Sequence, residues 1–343
     1  MTRDKKSASA EAGVETIVWP HGPDGTPADE HLTAAVAVLA DGGLVALPTE
    51  TVYGLAGDAT RAETAAAIFA AKGRPSFNPL ISHVPDLEAV ERHGFLTGEA
   101  RQLAERFWPG PMTLVLRKRP DSPIADLTTS GLDSVALRVP AHPVFQRLSQ
   151  MFGKPLAAPS ANRSGRISPT CAAHVYEELS GRINGILDGG PTEVGLESTV
   201  IACLDDQPVL LRPGGIAHAD VEACLGRTLA RADAEDQTRP QSPGMLLSHY
   251  APDAAVRLNA THVEPGEAWL GFGGDRPAGA ETARAGLDLS PSGDLFEAAA
   301  NLFGALRSLD GQTETGIAVV AIPEDGLGEA INDRLRRAAA PRG

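Results

Sequence analysis

Apolar positions along the first part of the chain alternate between two spacings. Leu32, Val36 and Leu39 fall on one helical face, and Gly42-Gly43 ends that helix. "LVALP" (44–48) is a continuous apolar run closed by proline, which reads as a short buried strand and the first of the chain. "AETAAAIFAAK" (62–72) returns to residues that favour helix. Further strands are expected at "LISHV" (80–84), "MTLVLRK" (112–118), "SVALRV" (134–139), "PLAAP" (155–159), "STVIAC" (198–203) and "PVLLR" (208–212). Leu103 and Phe107 face one way on a helix ahead of Trp108, and Ser168-Pro169 has the cap-then-proline form of a helix start. This mixture predicts an α/β layer structure around a twisted, mixed sheet flanked by helices.

The pattern breaks at residues 228–248, "TLARADAEDQTRPQSPGMLLS", a polar stretch punctuated by Pro240, Pro243 and Gly244 that reads as an interdomain linker. A smaller unit follows. Strands are expected there at "AAVRL" (254–258), "AWLGF" (268–272) and "GIAVVAI" (316–322). Helices are expected at 291–309, with Leu295, Leu302 and Leu306 on one stripe, and at 327–339. Strand-helix-strand order favours a parallel, Rossmann-like sheet. The expected division is a disordered tail at 1–14, a main domain at 15–227, a linker or lid at 228–252 and a small α/β domain at 253–343.

A length of 343 residues suits two domains. The net charge of −14 argues against generic affinity for nucleic acid or an anionic membrane, but leaves room for a local basic pocket. Cys171, Cys203 and Cys224 are far apart with no C-x-x-C pair, which argues against a thiolate zinc site and a disulfide framework. Residues 1–14 lack the apolar core of a secretory signal, and the longest apolar stretch, Leu32 to Ala40, is too short to span a bilayer. A soluble protein in a reducing cytoplasm is the expectation.

Against that acidic background, "AAKGRPSFNPLISH" (70–83) gathers Lys72, Arg74, Asn78 and His83 on a stretch where Pro75 and Pro79 forbid a continuous helix. Three more polar clusters follow expected strands: "PTETVYGL" (48–55), "PSANRSG" (159–165) and "RPGG" (212–215). In open α/β sheets the edge beyond the strands is where ligands bind. Their hydroxyl, amide and guanidinium groups bond phosphate or carboxylate without needing to titrate. Each cluster also has a plain structural reading. Lys72 suits a helix C-terminus, Arg74 a solvated turn, and Pro-Ser-Ala-Asn a capped turn. His83 suits a satisfied core position, and Ser168 a helix cap, although such a terminus also binds anions. No G-x-x-x-x-G-K-[ST], H-E-x-x-H, G-x-S-x-G or EF-hand loop occurs, and "GFGGDR" (271–276) lacks the third glycine of a dinucleotide turn and reads as a loop.

Taken together and in order, "PTETVYGL", "KGRPSFNPLISH", "SVALRVP", "APSANRSG", "LESTV" and "LRPG" resemble the YrdC-type catalytic domain of threonylcarbamoyl-AMP synthases. "SPGMLLSHYAP" (242–252) followed by a small α/β domain is similar to the longer form of that family. The resemblance implies that L-threonine, bicarbonate (or CO2) and ATP give threonylcarbamoyl-adenylate and diphosphate. A separate transferase complex would then use the adenylate to modify the adenosine beside the anticodon of certain tRNAs. It implies that Thr51, His83, Arg138, Ala158 and Ser198 line the threonine side. Arg74, Asn78, Ser134, Ser160, Ser168, Arg212 and Tyr250 would hold ATP, with Lys72 and Asn162 near the phosphates, and Lys72 and Arg74 would carry catalysis. Mg²⁺ is expected on the triphosphate with few protein ligands, so no residue is assigned to a metal.

The chemistry suits these residue types. Threonine's amine adds to CO2, and the resulting carbamate oxygen attacks the α-phosphate, so no protein nucleophile is required. Guanidinium forks are planar and permanently charged, which fits phosphate and carboxylate. Tyr250 extends the expectation: the linker would fold over the nucleotide and keep water from the adenylate. Two other readings use the same clusters. An RNA-binding module is opposed by the negative charge and the 4% aromatic content, and a carbamoyltransferase would take carbamoyl phosphate in place of threonine.

Overall fold

Short apolar runs become strands in this chain because neighbouring strands and helices cover both their faces. The computed structural model describes residues 13–23, 25–205, 207–232, 250–313 and 315–341. Strand β1 (Ile17–Trp19) precedes helix α1 (Asp29–Ala40), β2 (Val45–Leu47), β3 (Gly54–Asp58) and α2 (Ala62–Lys72). Next come β4 (Ile81–His83), α3 (Leu87–His93), α4 (Gly98–Phe107), β5 (Met112–Arg117), β6 (Ser134–Arg138), α5 (Pro143–Phe152) and β7 (Leu156–Ala157). Then follow α6 (Ala172–Leu179), β8 (Gly185–Leu187), β9 (Thr199–Cys203), β10 (Val209–Arg212), α7 (His218–Leu225) and β11 (Ala230–Arg231). These strands form one mixed, 11-stranded sheet in the order β1-β8-β2-β3-β7-β4-β6-β5-β9-β10-β11.

Strand direction decides where a site can form. β4 runs parallel to β6, with His83 opposite Arg138, whereas β7 runs antiparallel to β4 and β3 antiparallel to both β7 and β2. The ends of β2 and β7 therefore point away from the ends of β4 and β6. The clusters reach one another across a face of the sheet and not along a single carboxyl edge. Side chains two apart share a face, so Ile81 with His83, and Ala136 with Arg138, line the same side.

β12 (Ala255–Arg257), β13 (Ala268–Gly271), β14 (Gly286–Asp288), α8 (Leu295–Asp310), β15 (Gly316–Val319) and α9 (Gly328–Ala339) build the second unit. Its 4-stranded sheet has the order β12-β15-β13-β14, with every pair parallel. Asp294 caps α8 by accepting from Phe296 N at 2.8 Å. Leu302 and Leu306 are fully buried, while Leu295 is only partly so. The apolar cluster of this unit, centred on Leu302, Phe303, Ile317 and Ile331, also takes in Val52, Ile167, Leu196 and Tyr250. Its core is thus continuous with loops of the large sheet.

Several expectations are corrected. Ser168-Pro169 does not start a helix: α6 begins at Ala172 behind Cys171, and the Ser168 hydroxyl is drawn to a buried carboxylate. "LVALP" is not the first strand, since β1 precedes it, and "PTETVYGL" is not all turn, since β3 begins at Gly54. The stretch read as linker from 228 still contains β11, paired in parallel with β10. Residues 233–249, and 1–12 of the expected tail, lie outside the described residues. Among the described residues no helix is long and apolar enough to cross a membrane.

The two units touch backbone to backbone at Gly195, where φ is +72° and an added Cβ would meet Ala299 O and Ala300 Cα of α8, each at 2.5 Å. Gly195→Ala is expected to lower unfolding stability by about 1–3 kcal/mol, from left-handed strain together with overpacking. Urea denaturation measures this, and an unchanged midpoint would contradict the close approach.

Candidate active site

Five segments meet because the backbone sews them together. Thr49, just after β2, builds the first: its hydroxyl oxygen accepts from Thr51 N at 3.1 Å and Val52 N at 3.2 Å, and the hydroxyl donates to Val52 O at 2.7 Å. Leu55 N then donates to Pro159 O and Ala161 N to Tyr53 O, both at 2.7 Å, which locks "PTETVYGL" against "PSANRSG". Val194 N donates to Glu50 O at 2.8 Å, and Ala251 N to Gly165 O at 3.0 Å, adding the loop before β9 and the segment after the linker. Gly214 lets "RPGG" lie on the start of β9, for an added Cβ would meet Glu197 O at 2.3 Å.

Cations hold these turns from inside. Lys72 ends α2, where Gly73 takes a left-handed turn at φ 62°. Its ammonium donates to Ser160 O at 2.6 Å, to Asn162 O, and weakly to Asn162 Oδ1 at 3.4 Å. Arg74 donates to Asn78 O at 3.4 Å and Pro79 O at 3.2 Å, so the proline-stiffened loop wraps its own guanidinium. Arg138, at the end of β6, donates to Glu50 Oε1 at 2.7 Å and Gly110 O at 3.3 Å. Arg212, at the end of β10, donates to Ser198 O at 2.9 Å and to Ser198 Oγ at 3.2 Å.

Nine of the expected residues line one cavity: Thr51, Arg74, His83, Arg138, Ala158, Ser160, Ser198, Arg212 and Tyr250. The others stand behind or beside it. Lys72 and Asn162 brace the Ser160 turn, with Asn162 Nδ2 donating to Arg163 O and Arg166 O at 2.8 Å each. Asn78 is buried beside Arg74, and its side-chain oxygen has no hydrogen-bond partner among the described residues. Ser168 is buried and donates to Glu197. Ser134 is half-buried at the start of β6, at the opposite end of that strand from Arg138.

Two carboxylates were not singled out from the sequence: Glu197, at the wall, and Glu50, which pairs with the wall residue Arg138. Glu50 accepts from Arg138 with one oxygen and from Ala141 N at 3.0 Å with the other. Glu197 accepts from Ser168 and from Arg334 Nε, the latter at 2.8 Å. Both lie inside quoted motifs, "PTETVYGL" and "LESTV". Arg334 belongs to α9 and has no motif signal.

Burial sets the charge states. It pushes Arg74 down to about 10, with Tyr250 opposing and Arg212 adding to the shift, so Arg74 stays cationic at neutral pH. It pushes Lys72 well below the usual lysine value, and neighbouring Arg74 adds to that. It also depresses His83 to about 3, helped by Arg138. His83 is thus a neutral imidazole at physiological pH, tilted against Phe145 at 5.3 Å.

Between pH 6.5 and about 3 the unfolded chain binds a proton at His83 that the folded chain refuses. Stability therefore falls as pH drops through that window. Urea midpoints are expected to decline on acidification from pH 6.5, and His83→Gln to make the decline shallower. Parallel declines in parent and variant would contradict the buried neutral state.

Residues 37–214 match the Sua5/YciO/YrdC family model, described as "Telomere recombination", and residues 216–340 match one described as "Threonylcarbamoyl-AMP synthase, C-terminal domain". The chain is 42% identical over 330 residues to the threonylcarbamoyl-AMP synthase of Bacillus subtilis (strain 168), across 92% of this chain and 94% of that one. It is 41% identical over 330 residues to the threonylcarbamoyl-AMP synthase of Pyrococcus abyssi, across 90% and 94% of the two chains. The crystal structure of P. abyssi Sua5 complexed with L-threonine has a TM-score of 0.83 at 36% identity, covering 95% of this chain and 97% of that one. Matched in sequence along both units and in the fold that joins them, the chain belongs to the Sua5/YrdC family of threonylcarbamoyl-AMP synthases, in the long form with the family's C-terminal domain.

Proposed function

We propose that this chain is a nucleotidyltransferase that joins L-threonine, bicarbonate or CO2, and ATP into threonylcarbamoyl-AMP and diphosphate. The observation that carries the proposal is the cavity wall, which holds Arg74 and Arg212 together with Arg138 and His83. Arg74 and Arg212 suit the phosphates, because fixed guanidinium groups stabilise charge growing on a leaving diphosphate without reorganising. Arg138, its plane fixed by Glu50 and Gly110, keeps further N–H donors for the threonine carboxylate. The side-chain oxygen of Asn78, without a hydrogen-bond partner among the described residues, suits a donor on the nucleotide.

The reaction needs no enzyme nucleophile. Threonine's nitrogen bonds to the carbon of CO2 and loses a proton. A carbamate oxygen then bonds to the α-phosphorus as the bond from that phosphorus to the bridging oxygen of diphosphate breaks. His83 is too weak a base for general-base work at neutral pH, which agrees with a positioning role. Glu197 at the wall and Glu50 beside Arg138 are already engaged by arginine, so Mg²⁺ would be held through the substrate's phosphates and its own water, supplying charge neutralisation there. Tyr250 closes the cavity from the linker side, stacked on Phe303 at 5.5 Å, and so keeps water from the adenylate. The product would pass to a separate transferase complex in the cytoplasm for N6-threonylcarbamoyladenosine formation on tRNA. Direct contact between this chain and tRNA is no part of the proposal.

The test is diphosphate release that depends on threonine and bicarbonate in the absence of RNA, with mass spectrometry of the product. Release with carbamoyl phosphate in place of threonine would transfer the assignment to carbamoyl transfer. Arg74→Ala is expected to lower turnover by about 10²-fold or more while the protein stays folded. Lys72→Ala should do comparable damage by releasing the Ser160 turn, and folded variants with full activity would refute both roles. With Tyr250→Ala, diphosphate released should exceed the adenylate recovered by a few fold; matched yields would reject the closure.

A further inference from the structure

Glu197 puts a carboxylate into the wall of a cavity that the preceding reading assigns to a triphosphate. An unopposed anion there repels such a ligand and competes with it for neighbouring cations. Its counter-charge comes from the far end of the chain. Arg334, on α9, is completely buried, and its Nε donates to Glu197 Oε2 at 2.8 Å. Its other nitrogens donate to Asp333 Oδ2 at 2.5 Å and to Pro213 O at 3.0 Å. The guanidinium also lies 5.1 Å from the centre of the Tyr250 ring. Asp333 in turn accepts from Arg337 Nε at 3.1 Å. Glu197 and Asp333 are thereby balanced by Arg334 and Arg337.

Arg212 is near enough to Glu197 for each to influence the other's ionisation. Burial opposes ionisation of Glu197, but Arg334 and then Arg212 outweigh it and hold its carboxyl below the usual range. The glutamate is therefore an anion at neutral pH, and Arg212 is exposed to its attraction.

We propose that Arg334 is a positioning residue for nucleotide binding: from the C-terminal domain it pins and neutralises Glu197, leaving the charge of Arg74 and Arg212 directed at the phosphates. This rests on the nucleotide reading of the cavity. Arg334 itself is not part of the cavity wall and acts through Glu197 and through the Pro213 carbonyl, one residue beyond Arg212. The second domain thus supplies part of the electrostatics of the first.

The test is calorimetric titration of the full chain with a non-hydrolysable ATP analogue, alongside steady-state kinetics. Arg334→Met is expected to weaken analogue binding by roughly tenfold or more and to raise the ATP KM correspondingly, with kcat changed by less than about threefold. Adding Glu197→Gln to that variant removes the uncompensated charge and should recover most of the lost affinity. A merely structural role for Arg334 would not produce that recovery. Arg334→Lys, which keeps the charge, should lose less than Arg334→Met.

A folded Arg334→Met protein that binds the analogue like the parent overturns the proposal. So does a double variant as weak as the single one, because the loss would then come from undocking. If Arg334→Met does not fold, the double variant decides: affinity within about threefold of the parent supports the proposal, and a loss beyond tenfold overturns it. Analogue binding by the parent without threonine-dependent diphosphate release would count against the proposed reaction and leave the charge effect measurable. No analogue binding by the parent overturns both.

Discussion

Lys72, Arg74, Arg138, Arg212 and Arg334 are all buried, and the rest of the site follows from how those charges are held. Removing a cation from water costs several kcal/mol unless acceptors surround it. Here the acceptors are mainly backbone carbonyls of the same turns that form the cavity. Lys72 faces the carbonyls of Ser160 and Asn162, Arg74 those of Asn78 and Pro79, and Arg212 that of Ser198. Folding the turns and orienting the cations are therefore one event. The donors are in place before any anion arrives, which is the condition under which electrostatic catalysis is strong.

The same constraint ties the two units into one functional object. Arg334 is buried against Glu197, and Glu197 lies at the cavity wall. Tyr250 adopts φ 62°, uncommon for a residue with a side chain, and is kept there by Phe303 on one side and Arg334 on another. Arg307 of α8 adds a second link, reaching Glu178 on α6 and the carbonyl of Ile167.

Much of the fold was legible because long segments obeyed one period. α2 was expected at 62–72 and occupies Ala62–Lys72, and the parallel sheet of the second unit followed from strand-helix-strand order. What escaped reading lacked a local signal. β3 is "GLAGD", whose two glycines and aspartate are poor strand formers. It holds its place through pairing with β2 and β7. Ser168 looked like a helix cap because serine before proline has that form, and only the fold shows Glu197 competing for its hydroxyl. In the site, motif residues were legible as a set of donors. Glu50 and Glu197 were not, since an acid among buried arginines makes sense only once its partner is placed. Arg334 reads locally as one of several solvated arginines on an amphipathic helix, and its 137-residue separation from Glu197 hides the pair.

The central claim is that separated polar turns converge into one electropositive cavity that takes a nucleotide beside an amino acid. A crystal structure with L-threonine and a non-hydrolysable ATP analogue tests it most directly. The account predicts phosphate oxygens within hydrogen-bonding reach of Arg74 and Arg212, with the threonine carboxylate on the Arg138 side. Ligand density elsewhere, as in the surface hollow lined by Asp86, Glu88, Arg92 and Lys154, with this cavity unoccupied, would contradict it.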